Sequence, residues 1–227
     1  MLEIRDLTFH YKNQPLFDNV SLRLEKGEFA FLIGKSGTGK STLLQMIYLN
    51  LFPQSGSVII GDYETSNIKI KQIPLIRRKI GVVFQDFKLL RDRNVYENLE
   101  FVLRVTNHSG KEIKRIINDA LVEVGLSHKR FNYPNELSGG EQQRIAIARA
   151  ILNNPMIILA DEPTGNLDPE TSFEILELLQ KINRRGTSIL FATHDYDLVR
   201  KYPSARIFKI VDRKIIKGFL KKTNSEV

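Results

Sequence analysis

Apolar positions along the chain switch between two periods, and the switches lay out the fold. Glu28-Phe29-Ala30-Phe31-Leu32-Ile33 is an almost unbroken apolar run ending at Gly34, which predicts a short buried strand. Ser41 to Leu51 then takes up helical spacing, and Val58–Ile60 and Gly81–Phe84 read as further strands. From Asp86 to Leu152 the helical period dominates. Glu112 to Val124 places Ile113, Ile116, Ile117, Ala120, Leu121 and Val124 on one face, with Gly125 as C-terminal cap. Strand signals return at Met156–Ala160 and Ser188–Ala192, with Phe173 to Ile182 helical between them. The pattern predicts one α/β domain, residues 1–85 and 153–227, interrupted by a mostly helical insert at 86–152. The tail, Lys221 to Val227, is expected to fray.

One helix start in the insert raises a question. In Leu137-Ser138-Gly139-Gly140-Glu141-Gln142-Gln143-Arg144, Ser138 and Glu141 have the spacing of a capping box. A capping box does not need two adjacent glycines, which weaken local structure. They predict a close approach to bare backbone.

The strand-to-helix loop carries the most specific chemistry. Gly34-Lys35-Ser36-Gly37-Thr38-Gly39-Lys40-Ser41 fits the phosphate-binding pattern in full and sits between a strand and a helix, as that mechanism requires. The glycines let backbone N–H groups wrap phosphates, and the helix N-terminus adds its dipole. Lys40 is placed to reach the β- and γ-phosphates and Ser41 to ligate Mg²⁺, with Thr42 beside it. The apolar run Ile157-Ile158-Leu159-Ala160 ends in Asp161 and Glu162. Asp161 suits the Mg²⁺ shell and Glu162 a general base for an attacking water. The plainer alternative is that both carboxylates cap the strand end before Pro163.

Composition removes other chemistries. The chain of 227 residues has no cysteine, which excludes disulfides and cysteine-based zinc sites, and its four histidines show no ligand spacing. The N-terminus carries charges from position 3 and lacks the apolar core of a signal peptide, so a cytosolic chain is expected. A net charge of +8 fits nucleic acid, the anionic inner face of a membrane, or a merely solvated basic surface. The charges are spread along the chain, which favours the last of these.

The phosphate loop, Leu137–Arg144 and Ile157–Asp168 in this order resemble the ATP-binding subunits of ABC transporters, over essentially the whole chain. The resemblance implies a RecA-like P-loop core with an antiparallel β subdomain and an inserted helical subdomain, acting as a Mg²⁺-dependent ATPase. It also implies roles for single residues. Tyr11 stacks on adenine, and Gln85 senses Mg²⁺ and the attacking water. Asp168 lies in a loop crossing to a second protomer, and His194 contacts the γ-phosphate. Ser138, Gly139, Gly140 and Glu141 close the ATP site from the opposite chain of a homodimer. Glu141 stands where glutamine is commonest.

Phe84 to Phe101 is similar to the corresponding stretch of the cell-division members of that family, with Asn94 where threonine is usual. Here the family docks its integral membrane partner, and Phe87, Leu89 and Leu90 beside Lys88, Arg91 and Arg93 suit such a contact. These apolar residues also suit the core of the insert. The resemblance then implies a peripheral position at the cytoplasmic face of the inner membrane, no nucleic-acid partner, and control of periplasmic peptidoglycan hydrolysis. Lipoprotein-releasing and macrolide-efflux ATPases share Glu162-Pro163-Thr164-Gly165-Asn166-Leu167-Asp168 and remain the alternative.

Overall fold

The computed structural model describes residues 1–12 and 14–219, so the expected fraying of Lys221–Val227 lies outside the described residues. Two sheets form the frame. Strands β1 (Leu2–Tyr11), β2 (Gln14–Leu24), β4 (Ser55–Ile60) and β5 (Tyr63–Glu64) make an antiparallel sheet in the order β2-β1-β4-β5. The second sheet has the order β10-β9-β3-β8-β7-β6. It contains β3 (Phe29–Ile33), β6 (Ile80–Phe84), β7 (Ile157–Asp161), β8 (Ser188–Thr193), β9 (Arg206–Val211) and β10 (Lys214–Phe219). Every pairing in it is parallel except β9 with β10.

The apolar run of β3 is continuous because both faces of the parallel sheet are covered. Phe29, Phe31 and Ile33 enter one apolar cluster, and Ala30 and Leu32 enter the other. β7 and β8 divide their residues in the same way: Ile158, Ala160, Ile189 and Phe191 to one side, Leu159, Leu190 and Ala192 to the other. Helices α1 (Lys40–Ile47) and α2 (Ile73–Arg77), with the antiparallel sheet, cover the second face. Helices α3 (Val95–Val105), α4 (Gly110–Glu123), α5 (Gly139–Ile151), α6 (Pro169–Asn183) and α7 (Tyr196–Arg200) cover the first. Gly81 in β6 lets α5 settle onto the sheet, since a Cβ there would stand 2.6 Å from the Ala150 carbonyl oxygen.

Most helix boundaries follow their caps. α4 begins at Gly110 on a Ser109–Glu112 capping box, two residues before the expected Glu112, and its C-terminal cap is followed by Gly125, whose φ is +74°. Asn94 caps α3: its side chain accepts from Glu97 N at 2.9 Å, while Glu97 accepts from Asn94 N at 2.9 Å. Asparagine and threonine are both good N-caps, so the unusual residue at this position keeps the helix start. α1 stops at Ile47 although its apolar spacing runs to Leu51, because Leu49 adopts a left-handed φ of 64°. None of the described helices is long and apolar enough to cross a membrane.

The two sheets are clamped through the β9–β10 turn. Asp212 and Arg213 both take positive φ, 46° and 64°. The turn brings Lys214 Nζ to 2.9 Å from Asp18 Oδ2 and 2.6 Å from Asp18 O, while Asp18 N donates to Arg213 O at 3.2 Å.

Candidate active site

The C-terminal ends of β3, β7 and β8 deliver the phosphate loop, Asp161–Glu162 and His194 to one edge of the sheet. Crevices at this edge are where open α/β sheets bind ligands. Gly37 and Gly39 hold φ of +79° and +102°, conformations that favour glycine. A Cβ at Gly39 would stand 2.7 Å from Phe17 Cζ and 3.1 Å from Leu16 Cγ, so the loop rests directly on β2. Gly39 caps α1 without a side-chain hydrogen bond, leaving first-turn N–H groups available to an anion.

Lys40 is buried, at 5% exposure, and folds back into the loop. Its ammonium donates to Gly34 O at 2.8 Å and Lys35 O at 3.3 Å, and stands 3.0 Å from Glu162 Oε1. The other Glu162 oxygen is 2.7 Å from His194 Nδ1. Glu162 itself has φ +47°, an unusual conformation for a residue with a Cβ, fixed by Glu162 N donating to Ala192 O and Gly165 N to Glu162 O, both at 3.0 Å. The simple strand-end cap expected as the alternative for these carboxylates does not describe the Glu162 side chain, whose oxygens meet Lys40 Nζ and His194 Nδ1.

Ser41 Oγ donates to Asp161 Oδ1 at 2.9 Å. Burial pushes the Asp161 carboxyl above its ordinary range, partly offset by the Ser41 hydroxyl. Two hard oxygens side by side, one on a desolvated carboxylate, suit Mg²⁺, whose charge would offset that desolvation. Gln85 directly follows Phe84, the register partner of Asp161. Its side chain is turned to Asn166 instead: Gln85 Nε2 donates to Asn166 Oδ1 at 3.3 Å, and Asn166 Nδ2 donates to Gln85 O at 3.1 Å.

Tyr11 ends β1 as a 46% exposed residue, its ring edge-on to Phe9 and its hydroxyl 3.5 Å from Thr42 Oγ1. An accessible ring on the adjoining sheet, tied to the first turn of α1, is free to take a base on its face. Asp195 caps α7 beside His194 by accepting from Asp197 N and Leu198 N, so the histidine is not itself the cap.

Ser138 caps α5, accepting from Glu141 N at 3.2 Å, while Glu141 accepts from Ser138 N at 2.8 Å. That backbone donation, with help from Lys129, holds Glu141 below the usual carboxylate range. Ser138 remains exposed. The two glycines have reasons within this chain. A Cβ at Gly140 would lie 2.5 Å from Thr171 Cγ2, and one at Gly139 would lie 3.2 Å from Leu167 Cδ2. Asp168 caps α6 through Thr171 N at 2.9 Å and Thr171 Oγ1 at 2.6 Å. Asn166 and Thr171 were not identified from the sequence. Asn166 sits in plain view before Leu167-Asp168, but its pairing with Gln85 spans 81 residues.

These parts together define an ATPase of the ABC type. The chain belongs to the ABC transporter family, whose model matches residues 17–165. Its relatives include the cell division ATP-binding protein FtsE of Streptococcus pneumoniae serotype 2, 48% identical over 200 residues, covering 88% of this chain and 87% of the relative. FtsE of Bacillus subtilis is 44% identical over 218 residues, covering 96% and 95%. Among solved structures, the ATP-binding cassette MJ0796, dimeric in a post-hydrolysis state with ADP and Pi, superposes with a TM-score of 0.86 at 37% identity, covering 97% of this chain and 99% of that one.

Proposed function

We propose that this chain is the ATP-hydrolysing subunit of a cell-division ABC complex, acting as a homodimer on an integral membrane partner that resembles FtsX. The observation that carries the reading is the arrangement of Lys40, Glu162 and His194 around the phosphate loop, joined to the likeness to FtsE over most of the chain. Residues 1–85 and 153–227 form the nucleotide-binding core, and 86–152 carries the segment that closes the partner's site.

In that reading the loop from Gly34 to Ser41, with Thr42, holds the phosphates and Tyr11 the adenine. Ser41 and Asp161, with Gln85, hold Mg²⁺, which neutralises charge on the phosphates when bound. Glu162 takes the proton of the attacking water, and His194 keeps that carboxylate oriented. ATP must first draw Lys40 away from Glu162, since one ammonium cannot serve both the γ-phosphate and the base at full strength. The partner chain's signature segment completes the cradle through Ser138 and the N-terminal dipole of α5.

Leu89 packs into the core, whereas Leu90 is exposed, as is Phe101 with the Arg93 guanidinium 4.9 Å from its ring centroid. This apolar and basic surface supports docking of the membrane partner at the cytoplasmic face of the inner membrane. Closure of the dimer would pass through it to periplasmic peptidoglycan hydrolysis. Depletion tests the assignment: filaments and failed septa are expected. Normal division with mislocalised lipoproteins would give the assignment to a lipoprotein-releasing system instead.

A further inference from the structure

The turn that follows Gln85 holds an unfavourable conformation and is gripped by a side chain distant in sequence. Phe87 and Lys88 are consecutive non-glycine residues with φ of 58° and 53°. Two left-handed residues in a row are disfavoured for L-amino acids and persist where surrounding structure imposes them. Local bonds contribute, Phe87 N donating to Phe84 O at 3.4 Å and Lys88 N to Asp86 O at 2.5 Å, and from outside the turn Arg149, on the third turn of α5, holds it. Its guanidinium donates to Phe87 O at 2.8 Å and to Lys88 O at 2.5 Å.

Three features mark this as more than packing. Among the described residues no carboxylate forms an ion pair with the Arg149 guanidinium; burial disfavours its charge, and the field of Asp86 offsets only part of that. Its planar fork instead takes two successive carbonyls, those of Phe87 and Lys88, which the left-handed turn aims at one guanidinium. The turn also touches both halves of the nucleotide site. Gln85 precedes it and pairs with Asn166, while the Phe87 ring comes within 3.9 Å of a Cβ built at Gly139 of the signature segment.

We propose that Arg149 is a positioning residue for ATP hydrolysis: by clamping the left-handed Phe87–Lys88 turn it fixes where Gln85 points. This rests on the role given to Gln85 above.

The test uses the full chain and four variants, each measured for kcat, ATP affinity and melting temperature. Arg149→Lys keeps the charge and most of the stem but loses the fork. We expect kcat to fall about tenfold, with ATP affinity unchanged because the phosphate loop is untouched. Lys88→Gly favours the left-handed turn without help; added to Arg149→Lys, it should return kcat to within about threefold of the parent. Lys88→Val, with Arg149 intact, opposes the turn and should reproduce the Arg149→Lys defect. It decides the matter if Arg149→Lys does not fold. Both Lys88 variants lose the ion pair with Asp86, so they differ in backbone preference.

Gln85→Ala is the control. If it leaves kcat unchanged, the role of Gln85 falls and the proposal with it. If it lowers kcat while Arg149→Lys or Lys88→Val does not, Arg149 alone is overturned. Failure of Lys88→Gly to rescue would also overturn the clamp, by placing the effect of Arg149 elsewhere.

Discussion

Glu162 is shared between two neighbours: Oε1 stands 3.0 Å from Lys40 Nζ, and Oε2 stands 2.7 Å from His194 Nδ1. The proposed base is therefore held in place without nucleotide, through a contact that the γ-phosphate would take over in that reading. Glu162→Gln should keep its place beside His194 while losing basicity. ATP should still bind and promote dimers, and phosphate release should fall by roughly 100-fold or more, the usual loss on removing a general base. Turnover at the parent's rate would take the role away from Glu162.

Gly140 faces the Thr171 methyl, and that methyl cannot easily yield. Thr171 is β-branched on a helix, and its hydroxyl is tied to Asp168 Oδ2 at 2.6 Å. Gly140→Ala should lower the stability of the nucleotide-free chain by about 1–3 kcal/mol, as overpacking does. Thr171→Ser keeps the hydroxyl and deletes the methyl, so the double variant should regain most of the loss in urea unfolding. No destabilisation of the single variant would leave the phosphate as the sole reason for a glycine here.

Ser138 has two roles that one substitution can separate. Ser138→Ala removes the side-chain acceptor of the capping box, worth about 1 kcal/mol of stability. In a Glu162→Gln background it should also weaken ATP-dependent dimerisation by about tenfold or more, read by sedimentation. A loss of stability with dimerisation intact would make Ser138 a helix cap and nothing else.

Asp161 carries a pH prediction. Its folded pKa lies above the ordinary value of 3.8, so the native state keeps a proton at pH values where the unfolded chain has released it. Stability contributed at this position therefore falls as pH rises from about 3.8 through the raised value. Asp161→Asn lacks that loss. In the absence of nucleotide and Mg²⁺ it should melt higher than the parent near neutral pH, with the gap closing in acid, while hydrolysis is lost. A pH-independent gap would show that the carboxylate's desolvation is not its source.

The legible parts of the molecule were those written in local spacing. The phosphate loop, the Asp161–Glu162 pair and the Ser138–Glu141 box each fit within eight residues, and strand β3 was readable as a single apolar run. Helix ends were less so, because the left-handed Leu49 stops α1 against its own periodicity. Arg149 was invisible for a different reason. It lies in the apolar-periodic body of α5 and its partners are backbone carbonyls, which have no letter in a sequence. The paired glycines were legible as a demand for space, but the Thr171 methyl that makes part of that demand comes from another helix.

The strand order also sets a schedule for synthesis. β3, which delivers the phosphate loop, lies between β8 and β9, and the clamp joining its sheet to that of Tyr11 depends on Lys214. At ribosomal rates, β10 follows β2 by on the order of 10–40 s. For most of that interval, from the completion of Gly34–Ser41 until β8 is made, the nascent chain carries a finished phosphate-loop sequence whose strand β3 has no partner. An incomplete copy therefore has the motif of an ATPase without the site, and the capacity to hydrolyse ATP arrives only with the last strands.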